Sequence, residues 1–244
     1  MLNKSILVVF VAMLLGSMIE GCQPIADPPM PIRDSVRVGL VAHFPMNLAT
    51  KDATGNNPDL ELVNASFRLS GRTNKVGEYG LYFDGNSGSY ARLYLNNARA
   101  VNGALTIAFW TKELGPGAFS PRVFEFWPGN YGPGFYWFNW YQNKVKWAGS
   151  DFELKLDESF ERGVWHHFVV EHNTDAIRMY ANGKRIADVK LLGSLPPAAI
   201  QLSRYAELGR LAQRPADAFQ GGILDFRIYN RTLSQNEINY LYSQ

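Results

Sequence analysis

Short apolar runs separated by turn residues cover most of the chain from Val36 onwards. The short length of these runs and the turn residues between them are typical of β-strands joined by short connections. Representative runs are VGLVAHFPM, GLYFDG, ALTIAFWTK, WHHFVVEHN and GGILDFRIYN. No segment of helical period separates them to form crossovers between parallel strands. The pattern predicts an all-β sandwich.

Two local signals predict particular connections within this sandwich. Asn182 and Gly183 separate the runs AIRMY and KRIADV, and this pair accepts the positive φ angles of a tight hairpin turn. Near the C-terminus Ser234 is followed three residues later by Glu237, the pattern of a capping box. We therefore expect a β-hairpin at the first site and a short C-terminal helix at the second.

One predicted hairpin, GFYWFNWYQNKVKW at residues 134–147, is unusually rich in aromatic residues. Its turn is expected near YQNK. Because side chains alternate along a strand, the rings divide between two faces: Phe135, Trp137 and Tyr141 on one, and Tyr136, Phe138 and Trp140 on the other. One of these faces should meet the opposite sheet, and the pattern alone does not show which.

The N-terminal residues resemble an export signal. Lys4 precedes an apolar run at residues 6–19, which has the length of a signal-peptide core. The following IEGC resembles the lipobox of bacterial lipoproteins, which implies cleavage before Cys22 and acylation of its thiol. Gln23 after this cysteine implies the outer membrane, with a periplasmic or surface-exposed domain. The alternative is an ordinary signal peptide followed by an unpaired thiol.

Three segments follow from these patterns. Residues 1–21 are assigned to the signal peptide, residues 22–35 to a proline-rich tether, and residues 36–244 to one folded domain. The chain has 24 Lys and Arg against 22 Asp and Glu, with no concentrated basic stretch. A nucleic acid partner is therefore not expected.

The order of the motifs resembles the laminin-G-like jelly roll of the concanavalin A-like lectin and glucanase superfamily. The resemblance rests on GLVAHFPMN with KDATGNN, then GLYFDGNSGSYARL, LTIAFWTK, the WHH strand with its Asn-Gly hairpin, and a closing DFRIYNRTLS. It implies an all-β fold of two antiparallel sheets packed face to face, with a short C-terminal helix.

This fold carries lectins, enzymes and protein-binding domains, so function has to be inferred from individual sites. Glycoside hydrolases of this broad fold have closely spaced acids on one strand. The nearest segment here, FELKLDESFE, lacks that spacing, and we interpret its Glu153, Asp157, Glu158 and Glu161 as solvated charge. No enzyme activity is expected, although a hydrolase with unrecognised acids is a third hypothesis.

Two further groups of residues are candidates for metal binding. His166 and His167 are neighbours on a strand and should point to opposite faces, so a packing role is favoured for them over zinc. The resemblance places Asp52 and Asp225 at acidic positions of the family, which implies a possible calcium site. The alternative is that Asp52 caps a turn and Asp225 is hydrogen-bonded to the backbone.

The aromatic hairpin and the loop before it provide the candidate ligand contacts. Flat rings with amides between them suit sugars, whose axial hydrogens stack on aromatic faces. The predicted contact residues are Trp127, Tyr131, Tyr136, Trp137, Asn139 and Trp140. We expect a lipid-anchored, non-enzymatic module that binds a glycan. One alternative is an adhesion or assembly protein that binds another protein through the same rings. Another is that the C-terminal helix or the upstream loop WPGNYGPG covers the rings within the molecule.

Overall fold

The computed structural model describes residues 30–73, 75–115, 120–193, 195–211 and 217–244. These residues form fifteen β-strands and two α-helices. The helices are α1 (Ile32–Ser35) and α2 (Gln235–Ser243), and the strands are β1 (Leu40–Phe44), β2 (Glu61–Val63), β3 (Ser66–Leu69), β4 (Tyr79–Asp84), β5 (Tyr90–Tyr94), β6 (Ala104–Glu113), β7 (Arg122–Phe126), β8 (Tyr136–Tyr141), β9 (Lys144–Gly149), β10 (Glu153–Lys155), β11 (His166–Asn173), β12 (Ala176–Ala181), β13 (Lys184–Lys190), β14 (Tyr205–Leu208) and β15 (Gln220–Tyr229).

The strands form two sheets, and the strand pairs within them are antiparallel. The eight-stranded sheet has the order β13-β12-β11-β6-β15-β4-β3, and β1 pairs with the second half of β15. The seven-stranded sheet has the order β10-β9-β8-β7-β14-β5-β2. The jelly-roll prediction of two packed antiparallel sheets is confirmed.

The core lies between the two sheets and is built largely from phenylalanine. Five fully buried rings, each from a different strand, meet at its centre: Phe109, Phe124, Phe138, Phe168 and Phe226. Neighbouring ring centroids lie 4.9 to 6.1 Å apart, many of them in edge-to-face arrangements. Burial of each such side chain contributes roughly 1.5 to 3 kcal/mol, so this cluster holds the sheets together.

Both local predictions agree with the structure. Asn182 and Gly183 have φ angles of 50° and 80° and connect β12 to β13 as a two-residue turn. Ser234 is the N-cap of α2, and its hydroxyl accepts from the main-chain nitrogen of Glu237 while the Glu237 carboxylate accepts from the Ser234 nitrogen. These signals depend on neighbouring residues alone, which is why the sequence shows them.

The C-terminal helix α2 packs on the outer face of the eight-stranded sheet. Its Ile238 and Leu241 are fully buried in a cluster with Val169 and Tyr229 of that sheet. Neither described helix is long and apolar enough to cross a membrane.

The folded part of the chain begins before Val36. Residues Ile32–Ser35, which the sequence analysis placed in the tether, form the helical turn α1. The guanidinium of Arg231 donates to the main-chain oxygen of Ser35 at 2.7 Å and to that of Val38 at 2.8 Å. These bonds join the turn to the end of β15, so α1 is part of the domain. The assignments for residues 1–29 lie outside the described residues.

Candidate functional site

The aromatic hairpin β8–β9 lies in the seven-stranded sheet, and its two faces have different surroundings. Tyr136, Phe138 and Trp140 point between the sheets and are buried in the core. The Tyr136 hydroxyl is hydrogen-bonded to Nδ1 of His172, on the opposite sheet, at 2.9 Å. Burial raises the pKa of the Tyr136 hydroxyl, so it stays protonated. The even-numbered rings therefore belong to the core.

Three of the six predicted contact residues are thereby excluded. Tyr136 and Trp140 are core residues, and a ring between the sheets cannot stack on a ligand. Asn139 points to the other face but is also fully buried, and its amide donates to Ser120 Oγ and to the main-chain oxygen of Trp140. The prediction that Tyr136, Asn139 and Trp140 contact a ligand is wrong.

Trp137 lies on the outer face of the same sheet, where a cation covers one side of its ring. The Arg122 guanidinium carbon lies 3.8 Å from the ring centroid, a cation–π contact. The indole is 8% exposed. Glu125, directly opposite Trp137 on β7, lies 3.4 Å from the Arg122 Nε. Trp137 is therefore a packed support on this face and presents little free ring surface.

Trp127 and Tyr131, the other two predicted contacts, lie in the connection between β7 and β8. Together with Phe135 they form a group of three rings, with centroids 5.1 to 5.4 Å apart and planes 80 to 87° apart. Such edge-to-face pairs are favourable. Phe135 is buried and Trp127 half-buried, whereas Tyr131 is 70% exposed. The outcome is an exposed ring held in place by two packed ones.

Two tyrosines that sequence analysis missed extend this group across the sheet. Tyr205 of β14 lies beside Trp127. The main-chain nitrogen of Trp127 donates to the main-chain oxygen of Tyr205 at 3.1 Å. Tyr94 of β5 is paired with Tyr205, and their ring centroids are 5.3 Å apart. Tyr94 is 42% exposed. Their only sequence signal is that each occupies an outward position of a short alternating run.

We call this set the aromatic row, and its members are Tyr94, Tyr205, Trp127, Tyr131 and Phe135. Tyr94 lies on β5, Tyr205 on β14, Trp127 directly after β7 and Phe135 directly before β8. These four residues therefore occupy neighbouring positions across the sheet. With strands about 4.8 Å apart, the row is about 14 Å long. It is therefore long enough to contact a chain-like ligand along its length.

Charged side chains lie two residues further along the same strands, on the same face of the sheet. Glu207 is paired opposite both Glu125 and Arg92. Its carboxylate accepts from the Tyr205 hydroxyl and from Arg210 Nε, the latter at 2.7 Å. Burial and the neighbouring Glu207 carboxylate raise the pKa of Tyr205, which therefore remains a donor. The row thus combines apolar ring faces with adjacent hydrogen-bonding groups, which together suit a ligand with an apolar face and many hydroxyls.

The acids considered for catalysis lie away from this row, in the segment FELKLDESFE. Glu153 pairs with Lys146 at 2.9 Å, and Asp157 pairs with Lys144 at 3.1 Å. Both of these carboxylates, together with Glu158 and Glu161, are exposed. The interpretation of these acids as solvated charge is confirmed.

The adjacent histidines point to opposite faces of β11, as alternation predicts. His166 packs in the interior against Phe160 with centroids 5.3 Å apart, whereas His167 lies on the outer side beside Trp110. Burial lowers the pKa of His167 to about 3, so this ring is neutral. Among the described residues no group of three or more His, Cys, Asp or Glu is placed to hold a metal ion.

The geometry does not fit calcium at the two predicted aspartates. Asp52 is buried, and its two carboxylate oxygens accept six hydrogen bonds, from His43, Thr54, Asn56 and Asn57. These bonds hold the pKa of Asp52 below its usual value against the effect of burial. This is the turn-capping alternative, and it leaves the carboxylate without free ligand positions.

Asp225 is also paired within the protein. Its Oδ1 atom lies 2.7 Å from His43 Nε2 and 3.0 Å from Arg227 Nε. A guanidinium at this distance repels a divalent cation, so Asp225 does not fit a calcium site either. The partners are side chains, and the sequence analysis expected the backbone. Cys22, the predicted lipidation site, lies outside the described residues.

Comparisons with known proteins agree with the fold. A family model described as the concanavalin A-like lectin/glucanases superfamily matches residues 77–239. No curated protein matches the sequence significantly.

Among solved structures, domain 4 of AbnA, an extracellular arabinanase from Geobacillus stearothermophilus in complex with arabinotriose, is 17% identical. The TM-score is 0.62, with 83% of this chain and 98% of that chain covered. A structure of botulinum neurotoxin type C, a toxin whose cell entry depends on interaction with two ganglioside molecules, is 15% identical. Its TM-score is 0.64, with 86% of this chain and 52% of that chain covered.

The binding domain of botulinum neurotoxin DC, solved with rat synaptotagmin II, is 18% identical. It has a TM-score of 0.62, with 87% of this chain and 52% of that chain covered. The chain therefore spans about half the length of the toxin structures that it matches. At these identities the structural comparisons establish the fold alone.

Proposed function

This chain belongs to the concanavalin A-like lectin/glucanase superfamily, and we propose that it is a non-enzymatic module that binds a carbohydrate through the aromatic row. The observation that carries the proposal is the position of Tyr131. Its ring is 70% exposed yet held edge-to-face by Trp127 and Phe135. A fixed, exposed ring loses little conformational entropy on binding and offers a flat apolar surface.

The location of the row supports the same function. Helix α2 packs on the eight-stranded sheet, and α1 contacts α2, so neither described helix covers the outer face of the seven-stranded sheet. Tyr94 and Tyr131 therefore remain exposed at the two ends of the row. Two of the similar proteins interact with sugar-containing molecules: the arabinanase domain is in complex with arabinotriose, and cell entry of the type C toxin depends on two ganglioside molecules.

A glycan array followed by calorimetric titration of any ligand found tests the proposal. The double variant Tyr94→Ala/Tyr131→Ala removes both exposed rings and should stay folded. We expect it to lose about 1 kcal/mol or more of binding free energy, roughly a fivefold or greater rise in Kd. Tyr242→Ala is the matched control, because Tyr242 is 41% exposed but lies on α2.

Unchanged glycan affinity in the Tyr94 and Tyr131 variant would contradict the proposal. A protein ligand that depends on the same two rings, without any glycan bound by the array, would instead support the alternative of an adhesion or assembly module. Exposed aromatic residues serve as hot spots in protein interfaces as well, so this outcome is chemically reasonable.

We also propose that the module is attached to the bacterial outer membrane by a lipid on Cys22. The support is the resemblance of IEGC to a lipobox after an apolar run. Cys22→Ala should then leave the protein unacylated and release it from the membrane fraction, as detected by fractionation and labelling with a palmitate analogue. Ser17→Ala, within the same N-terminal segment, is the control. Retention of the Cys22 variant in the membrane fraction would refute the anchor.

A further inference from the structure

A cavity lies on the outer side of the eight-stranded sheet, on the opposite side of the sandwich from the aromatic row. Its volume is about 680 Å³, within the range of small-molecule sites. One wall comes from α1 and the residues after it, another from α2, and a third from residues 53–56, while β1 and β15 form the floor. We call it the cationic cleft.

The charged residues of this cleft are mostly basic. Arg33 and Arg37 lie at its mouth, and Arg227 lies on its floor, whereas no Asp or Glu is among the described lining residues. Asp34 lies 3.7 Å from Arg33, and Asp225 pairs with Arg227. Arg33 and Arg227 therefore each have a carboxylate partner.

Arg37 is the third arginine of the cleft. Its side chain is exposed, and it forms no ion pair with any described residue. A guanidinium binds carboxylate, sulfate and phosphate groups through paired N–H donors. The cleft therefore has an unpaired donor at its mouth for an anionic group.

The floor of the cleft is built by an irregularity in β15. The register shifts between Leu224 and Arg227, and Asp225 has a φ angle of +53°, which is uncommon for a residue with a side chain. Leu224 packs on the outer face and Phe226 in the core. The extra residue thus places both Asp225 and Arg227 on the outer side, a redirection typical of β-bulges at functional sites.

Asp225 then fixes the orientation of the floor cation. Its Oδ1 atom accepts from Arg227 Nε at 3.0 Å and is hydrogen-bonded to His43 Nε2 at 2.7 Å. The pairing of Asp225 with Arg227 and His43 holds its pKa far below the usual range, so the carboxylate stays charged and keeps Arg227 in place. A guanidinium held in this way is already oriented when a ligand arrives.

The remaining lining suits the body of a ligand that carries such an anion. Val36, Leu40 and the ring of Tyr240 provide apolar surface, and Thr54 and Asn56 provide polar groups at the opposite wall. The Asn56 side-chain amide has no hydrogen bond to the described residues, so it is available to a ligand. We propose that the cationic cleft binds a carboxylate, sulfate or phosphate group carried by a sugar or by a lipid headgroup.

Binding measurements with the full chain carrying Cys22→Ala, which removes the predicted acylation site, test this inference. The soluble probes are inorganic phosphate and glucuronate, with glucose as the uncharged control, measured by calorimetry. The lipid probes are vesicles of phosphatidylglycerol and of phosphatidylcholine, measured by co-sedimentation. The test variant is Arg33→Gln/Arg37→Gln. The control is Lys184→Gln/Arg185→Gln, because these two residues are exposed on β13 and their substitution removes the same amount of positive charge.

We expect at least one anionic probe to bind saturably, and the Arg33 and Arg37 variant to bind it about tenfold more weakly, while the control variant is unchanged. Binding of phosphate or glucuronate identifies a soluble ligand, and binding of phosphatidylglycerol vesicles alone identifies a headgroup. The inference is overturned if no anionic probe binds, or if the control variant loses as much affinity. Because the variants leave the aromatic row intact, this result is separate from the test of glycan binding by that row.

Discussion

Glu125 is an almost fully buried ionisable residue beside the aromatic row. It is 1% exposed, and its carboxylate lies 3.4 Å from Arg122 Nε without a well-aligned hydrogen bond. Burial raises the pKa of this carboxyl to about 7, and the attraction of Arg122 offsets only part of that effect. The residue therefore titrates near neutral pH in the folded protein.

This shifted pKa predicts a pH-dependent stability. A glutamate in an unfolded chain has a pKa near 4.5, so from there to pH 7 the folded state holds the extra proton and its stability falls as pH rises. Glutamine does not titrate. Relative to the wild type, Glu125→Gln should therefore gain about 2 to 3 kcal/mol of unfolding free energy between pH 5 and pH 8.

Urea denaturation at the two pH values measures this gain. Glu153→Gln is the control, because it makes the same substitution at an exposed glutamate. An equal difference between Glu125→Gln and wild type at pH 5 and pH 8 would mean that Glu125 ionises normally.

At the scale of elements, the β8–β9 hairpin carries one core face and one outer face. Tyr136 and Trp140 fill space between the sheets, so Tyr136→Ala/Trp140→Ala leaves a closed cavity and should cost about 3 to 5 kcal/mol per residue. Trp137 and Tyr141 face outwards, where Arg122 lies over the first ring and Lys146 over the second. If these rings are removed, water can fill the space that they leave. Trp137→Ala/Tyr141→Ala should therefore lose less stability and remain folded.

Thermal and urea unfolding followed by circular dichroism compare the two double variants. We expect loss of the native fold in the Tyr136 and Trp140 variant and a cooperative transition in the other. If both variants unfold alike, the outer face of this hairpin is packed as tightly as its core face, and the expected difference between the two faces is wrong.

At the scale of the whole molecule, the aromatic row and the cationic cleft lie on opposite outer faces of the sandwich. Two sheets packed about 10 Å apart separate them, and sites this distant without shared partners generally behave independently. Combining Tyr94→Ala/Tyr131→Ala with Arg33→Gln/Arg37→Gln should therefore change the unfolding free energy by the sum of the separate effects within about 0.5 kcal/mol. A larger discrepancy in urea denaturation would show that the two faces are coupled.

Interactions between residues close in the chain were predictable from the sequence. Short apolar runs bounded by turn residues indicate strands because both signals depend only on residues close in the chain. The Asn182 and Gly183 turn and the Ser234 cap likewise need only their neighbours. The motif order added the sandwich itself, and composition drew attention to Trp127 and Tyr131, which do lie on the outer face.

Partners distant in the chain were decided by the tertiary structure. Alternation divides the rings of β8 into two sets, but which set is buried depends on where the opposite sheet packs. Tyr136 and Trp140 were misassigned for this reason, and Asn139 was misassigned because its amide is buried and bonded to Ser120 and Trp140. The calcium prediction for Asp52 and Asp225 recognised the right chemical groups but missed the donors that surround them.

The aromatic row shows the same limit most clearly. Tyr94, Tyr205 and Trp127 become neighbours only because β14 pairs with β5 on one side and β7 on the other. The sequence by itself determined the strands, the turns and the chemical character of these side chains, since each depends on a few adjacent residues. Their assembly into one surface was decided by the tertiary structure, because strand pairing across long sequence separations depends on the packing of the whole core.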